Sequence, residues 1–189
     1  MRKLIVSEFL SLDGVMEAPG PSHDFKYAGW TMPFWNEKIA TFKRDELFAG
    51  DALLLGRKTY EGFAAAWPGI KDAQGFADRM NGLPKYVVSS TLNRAEWNNS
   101  EIIARDLTSA VRAIKAQSGM DLLLFGSGRL AGALLQQGLV DELRFLIYPV
   151  VLGSGQRFFE QAPHASLKTI ETRDMERGVT LMRYAILAG

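Results

Sequence analysis

The sequence predicts an α/β fold, and three observations carry that prediction. Two short apolar runs, Ala52 to Leu55 and Leu122 to Phe125, each pass through glycine straight into a segment of helical spacing. A third apolar run, Tyr86 to Val88, closes in the hydroxyl residues Ser89, Ser90 and Thr91. In open α/β sheets ligands bind at such carboxyl ends of strands. Helical patterns fall early in the chain, and strand patterns crowd its end.

Composition narrows the function classes. A chain of 189 residues suits one domain, 1–189, with a sizeable core. The net charge of +1 gives no electrostatic reason to expect nucleic acid or an anionic membrane as partner. The absence of cysteine excludes disulfides and thiol chemistry, and two isolated histidines, His23 and His164, do not make a zinc ligand set. Leu4 to Val6 is too short an apolar run for a signal peptide or a membrane span. The expectation is a cytoplasmic enzyme or binding protein with a small-molecule partner.

Residues 3 to 12 alternate, with Leu4, Val6, Leu10 and Leu12 on one face of a first strand. Glu8 falls on that apolar face. Either it reaches solvent at the strand end, or it is a cleft carboxylate with a shifted pKa that touches substrate. From Ser11 to Met32 the pattern dissolves into a long loop rich in Asp, Gly and Pro, of the kind that serves as a lid or binding segment. Asp13 is either a turn former with Gly14 or a carboxylate aimed into a site. His23 is expected to be solvated.

Met32-Pro33 opens a helical segment with Phe34, Ile39, Phe42, Leu47 and Phe48 on one face, Glu37, Lys38, Lys43, Arg44 and Asp45 elsewhere, and Gly50 at its end. The strand from Ala52 to Leu55 leads into Gly56, Arg57, Lys58, Thr59 and Tyr60. There Arg57 and Lys58 either hold a phosphate monoester or are basic residues on an exposed turn, with Thr59 as N-cap or extra donor. Residues 61 to 83 carry two loop signals, Trp67-Pro68-Gly69 and Asn81-Gly82. After the Tyr86 strand come a turn at Trp97 to Ser100, a short strand at Ile102 to Ala104, and an amphipathic helix capped by Asp106 or Thr108.

Leu122 to Phe125 then runs through Gly126, Ser127 and Gly128 into a helix carrying Arg129, Leu130, Ala133 and Leu134. Free amides and the summed peptide dipoles make that helix start suited to phosphate, though glycines there also serve a tight turn alone. The spacing fits a Rossmann fingerprint, but Asp141 and Glu142 come too early for its ribose-binding acid, so a different α/β scaffold is expected. Leu143 to Leu152 reads as a long β-run with Pro149 at an edge or bulge. Leu167 to Thr172 and Val179 to Leu187 read as a closing hairpin around Asp174 to Gly178. His164 lies in a loop and is expected to be structural or solvated.

Three segments in this order, Leu53 to Tyr60, Tyr86 to Ser90 and Leu122 to Leu130, resemble the dihydrofolate reductase-like superfamily. Gly138 to Leu143, Pro149 to Gly155 and Ser11-Leu12-Asp13-Gly14 resemble its branch related to the reductase domain of riboflavin biosynthesis. The resemblance spans nearly the whole chain. It implies a three-layer α/β/α fold whose mostly parallel sheet ends in an antiparallel C-terminal strand, an NADPH cofactor, and a homodimer as a compatible state. By position it would set Arg57, Lys58 and Thr59 against the cofactor phosphates and Ser89 and Ser90 near the adenosine 2′-phosphate. Gly126 to Leu130 would cradle the pyrophosphate.

The implied activity is NADPH-dependent reduction of a small heterocyclic or ribosylated substrate, similar to 5-amino-6-(5-phosphoribosylamino)uracil reductase. Pteridine reduction and a non-catalytic NADPH-binding module are the alternatives. Dihydrofolate reductases carry a carboxylate on the helix after the loop, whereas matching Phe42-Lys43-Arg44 puts Lys38 there with Glu37 beside it. Riboflavin reductases commonly have an acid before the paired glycines, where this chain has Phe125. On the motif match and its expected place at the mouth of the cleft, Asp13 is the first candidate for substrate positioning or proton delivery, followed by Glu8 and Glu37. The 11 to 32 loop is expected to close over the site.

Overall fold

The computed structural model describes residues 1–21, 24–160 and 162–187, so the expectation for His23 lies outside the described residues. Eight strands form one sheet: β1 (Leu4–Ser11), β2 (Gly50–Gly56), β3 (Lys85–Val88), β4 (Ser100–Ile103), β5 (Asp121–Phe125), β6 (Glu142–Tyr148), β7 (Leu167–Asp174) and β8 (Thr180–Ile186). Their order across the sheet is β4-β3-β2-β5-β1-β6-β8-β7. The first six run parallel, while β8 pairs antiparallel with both β6 and β7.

Five helices cover the two faces: α1 (Glu37–Ala49), α2 (Arg57–Ala66), α3 (Phe76–Gly82), α4 (Leu107–Ala116) and α5 (Gly128–Gln136). On one face Val111 and Ile114 of α4 and Leu130, Ala131 and Leu134 of α5 pack on Leu4, Val6, Leu122 and Leu124. On the other, Leu47, Tyr60 and Met80 pack on Ile5, Leu53, Leu55 and Leu123. The result is the expected three-layer α/β/α arrangement. Because both faces are covered, the central strands read as continuous apolar runs. Among the described residues no helix is long and apolar enough to cross a membrane.

Several local expectations need correction. The first strand is not one-faced, since Ile5 is as buried as Leu4, and Leu12 lies past the strand end at 67% exposure. Gly50 closes α1 as its C-cap, as expected, and also opens β2, but Phe48, placed on the apolar face, is exposed. Thr59 is not an N-cap, because Gly56 holds that position. Residues 61 to 83 contain a helix, α3, whose last turn includes Asn81-Gly82. Its start is supported by Asp72, whose carboxylate accepts from the amides of Phe76 (3.1 Å) and Ala77 (2.6 Å). β6 stops at Tyr148, so Pro149 stands just beyond the strand. His164 is exposed in its loop, and of the two caps considered for α4, Asp106 accepts from the Ser109 amide at 3.2 Å.

Two buried polar features tie distant elements together. Lys85, at the start of β3, donates to the carbonyls of Asn81 (2.9 Å), Leu83 (2.7 Å) and Asn98 (3.0 Å), and its ammonium lies 4.2 Å from the Trp97 ring. An ion-pair ladder crosses from α1 to the C-terminal hairpin. Arg144 reaches Glu46 (3.4 Å) and Glu142 (2.7 Å), and Arg183 joins Glu142 (2.8 Å) to Glu171 (3.0 Å). Removing the ammonium of Lys85 strands three carbonyls. Lys85→Met is expected to lower the unfolding free energy in denaturant titration by about 1–3 kcal/mol, the cost of unpaired buried polar groups.

Candidate functional site

β2 and β5 are neighbours in register, so the two glycine corners that leave them lie side by side. They nest closely. A Cβ on Gly56 would overlap the Ser127 side chain, and one on Gly126 would overlap Thr59. Gly126 also has φ +71, a left-handed conformation that glycine adopts without strain. The two hydroxyls meet across the corner, Thr59 Oγ1 to Ser127 Oγ at 3.3 Å.

The helices that start here differ from the rest. Asn36, Asp72 and Asp106 place side-chain oxygens on the first amides of α1, α3 and α4, whereas α2 and α5 have no such side-chain cap among the described residues. Their first amides lack intrahelical partners and carry the positive end of the helix dipole. Both helix starts adjoin one cleft of about 570 Å³, lined by Arg57, Val88, Ser89, Ser90, Thr91, Arg105 and Arg129 among others.

The residues singled out from the sequence fare unequally in this geometry. Arg57, Ser89, Ser90, Thr91 and Arg129 line the cleft, while Gly56, Gly126, Ser127 and Gly128 form the corners beside it. Lys58 is exposed and does not line it, and the Leu130 side chain belongs to the core under α5. Arg57 is paired with Glu61 at 3.0 Å in solvent, and Ser89 Oγ accepts from the amides of Thr91 (3.2 Å) and Leu92 (2.9 Å). Arg105 was not foreseen. It follows β4, which joins β3 at the sheet edge, and the chain alone does not reveal that adjacency.

The three candidate acids part company. The Asp13 carboxylate accepts from Ser11 Oγ (2.7 Å) and from the amides of Leu152 (3.1 Å) and Gly153 (2.9 Å). Burial pushes its pKa up, but these donors outweigh burial and hold it down at about 2. Asp13 therefore stays ionised and clamps the 11 to 32 loop to the loop after β6, which is unsuited to proton delivery. Glu37 is exposed in the first turn of α1, where a carboxylate complements the helix dipole.

Of the three, Glu8 is the buried acid, at 7% exposure within the central strand β1. Burial raises its pKa to about 8, against the opposing pull of Lys43 and of hydrogen bonds from the Gly126 and Phe9 amides. Its Oε1 has no hydrogen-bond partner among the described residues. The reading of Glu8 as a strand-end residue reaching solvent is thus not met, because the side chain is enclosed.

A second buried polar group, on the α1 side of the sheet, was missed in the sequence. Lys43, expected on the outer face of α1, points to the sheet with its side chain 11% exposed. Ile39, Lys43, Glu46 and Leu47 follow helical spacing, which was the available signal. Lys43 donates to Ser7 Oγ (2.9 Å) and to Glu46, and Ser7 Oγ donates to Glu46 (2.8 Å). The ammonium lies 4.5 Å from the Phe125 ring and 5.3 Å from the Phe9 ring. Phe9 in turn meets the exposed Trp35 edge to face at 6.2 Å and the buried Tyr148 at 5.7 Å.

Comparison with known proteins bears on the family and the fold. The family model of the RibD C-terminal domain matches residues 2–181. The uncharacterized protein YyaP of Bacillus subtilis is 29% identical over 187 residues, covering 97% of this chain and 94% of that protein. A putative riboflavin biosynthesis protein from Shewanella sp. PV-4 superposes with TM-score 0.71 at 18% identity, covering 98% of this chain and 99% of the other. A dihydrofolate reductase from Enterococcus faecalis, solved with NADP(H), gives TM-score 0.65 at 13% identity, covering 98% and 97%. These structural likenesses establish the dihydrofolate reductase-like fold.

Glu8 makes a signed prediction about stability. Its folded pKa lies above the unfolded value, so its contribution is fully present below the ordinary 4.5 and is lost as pH rises through about 8. Each unit of displacement corresponds to about 1.4 kcal/mol. Glu8→Gln removes the ionisation, so thermal melts should show the variant gaining on the parent steadily from pH 5 to pH 8.

Proposed function

The chain belongs to the RibD C-terminal domain family, and from that premise we propose that it is an NADPH-dependent reductase of a small heterocyclic substrate. The observation that carries the reading is the convergence of three strand ends on one cleft with three arginines, a row of hydroxyls and two uncapped helix starts. That donor set fits a dinucleotide with an extra phosphate monoester. Arg57, Arg105 and Arg129 would hold the adenosine 2′-phosphate with Ser90 and Thr91, as guanidinium forks match phosphate oxygens. The amides at Gly126 to Arg129, and those of α2 from Arg57 to Thr59, would face the pyrophosphate. The glycine nesting removes the side chains that would otherwise fill the approach.

Bound NADPH would supply the hydride. The protein's own contribution would come from β1 and the segment before α1, whose residues are not among those lining the arginine cleft. Phe9 and the exposed Trp35, set edge to face, would offer apolar contacts to a planar ring. Glu8 keeps its proton near neutral pH and has one oxygen free, so it is the group suited to protonate a C=N or C=O acceptor as hydride arrives. Lys38, at the position where dihydrofolate reductases carry a carboxylate, is paired with Glu176 at 3.1 Å, which disfavours pterin reduction.

Two measurements test the proposal. In thermal-shift titrations NADPH should stabilise the protein more than NADH, by about 2.7 kcal/mol at 100 times its dissociation constant. Arg105→Ala should abolish the preference, and equal response to both cofactors in both proteins would refute the phosphate assignment. With a turned-over substrate in hand, kcat should fall as pH rises through about 8, where Glu8 loses its proton.

A further inference from the structure

β1 pairs with β5 only as far as Ser7 and Phe125, yet it continues along β6 to Ser11 and Tyr148. Beyond Ser7 the β5 side of β1 is therefore open, next to the corner where the chain turns away at Gly126. Strand alternation puts Ser7 and Phe9 on the α1 face of the sheet, and α1 sets a cation beside them. Lys43 Nζ donates to Ser7 Oγ at 2.9 Å and to Glu46 Oε2. Otherwise it meets aromatic rings, Phe125 at 4.5 Å and Phe9 at 5.3 Å. An ammonium has three donors, so one N–H has no oxygen to accept it among the described residues. Lys85 is the contrast, since three carbonyls take all of its donors. The Lys43 side chain is 11% exposed and so not sealed, and the exposed Trp35 stands against Phe9 beside it.

A spare ammonium donor can serve an anion or a neutral oxygen, and the surrounding charges decide between them. Lys43, Arg144 and Arg183 are matched one for one by Glu46, Glu142 and Glu171, with Arg173 added only at the outer end. An anion brought to Lys43 would meet a cation already neutralised and would stand near the buried carboxylate of Glu46. A neutral carbonyl oxygen takes a charge-assisted hydrogen bond without that repulsion. We infer that Lys43 is a specificity-determining residue: its third N–H binds a neutral carbonyl oxygen of the ring that lies against Phe9 and Trp35, and its pairing with Glu46 disfavours anionic rings. Two fixed bonds leave the tetrahedral ammonium one direction for its last donor, so the carbonyl also sets how the ring lies. The inference rests on the reading of Phe9 and Trp35 as ring contacts and is independent of which group delivers the proton.

Three rings of one size test it: uracil, neutral with two carbonyls; pyrimidine, neutral with none; and orotate, the uracil carboxylate, an anion at neutral pH. Dissociation constants from NMR titration of the full chain, with and without NADPH, should rank uracil tightest. Lys43→Met should weaken uracil about tenfold or more, the worth of a hydrogen bond to a charged group, and leave pyrimidine unchanged. Uracil bound equally by the parent and by folded Lys43→Met overturns the inference, and so does orotate bound more tightly than uracil by the parent. Should Lys43→Met fail to fold, the parent labelled with 15N at its lysine side chains gives a second readout. The Nζ signal that Lys43→Arg lacks should shift with uracil and hold still with pyrimidine, and a signal unmoved by uracil counts against the inference equally. Trp35→Ala should weaken both neutral rings alike; if it weakens neither, or if the parent binds no ring, the ring contacts are misplaced and the inference falls with them. The preference for NADPH at the arginine cleft survives each of these failures, whereas loss of that preference leaves the ring titrations intact.

Discussion

The adjacency of β2 and β5 is the constraint on which the rest of this molecule depends. β2 ends in glycine and β5 is followed by one, both lead into helices, and the pairing brings the two turns into contact. No side chain fits at Gly56 or Gly126, so the backbone itself becomes the floor of the site. The polar groups that remain, Thr59 and Ser127, satisfy each other, and the first amides of α2 and α5 are left for something outside the chain.

How much of this was readable beforehand depended on the range of the interaction. The corners are local: a strand, a glycine and a helix adjoin in sequence, and each part leaves its mark within ten residues. The order of strands in space leaves no such mark, which is why Arg105 escaped notice until β4 was seen beside β3. Asp13 failed as a proton donor for a similar reason. Its neighbours in sequence suggest a turn, but its state is decided by amides 139 and 140 residues away. Lys43 illustrates a different error. Its charge suggests solvent, whereas helical spacing with Ile39 and Leu47 turns it toward the sheet. The helix at residues 76–82 was hidden because two loop signals bracketed it and its cap, Asp72, acts across several residues.

The chemistry of the acidic end follows from enclosure. Three carboxylates were candidates, and environment alone sorts them: one saturated by donors, one at a solvent-facing helix start, one sealed beneath a strand end with a single oxygen spare. The sealed group is costly for the fold at neutral pH, and it is also the group that can part with a proton there. The proposed proton donation and stability therefore pull on Glu8 in opposite directions.

The ladder from Glu46 through Arg144, Glu142 and Arg183 to Glu171 carries this enclosure beyond the cleft. Glu142 sits between two guanidinium groups, which together overcome its burial and keep its pKa low. One of those groups comes from β8. A chain cut before that strand would leave Glu142 with half its counter-charge and draw Arg144 away from α1, so the outermost hairpin works as ballast for a helix on the far side of the sheet.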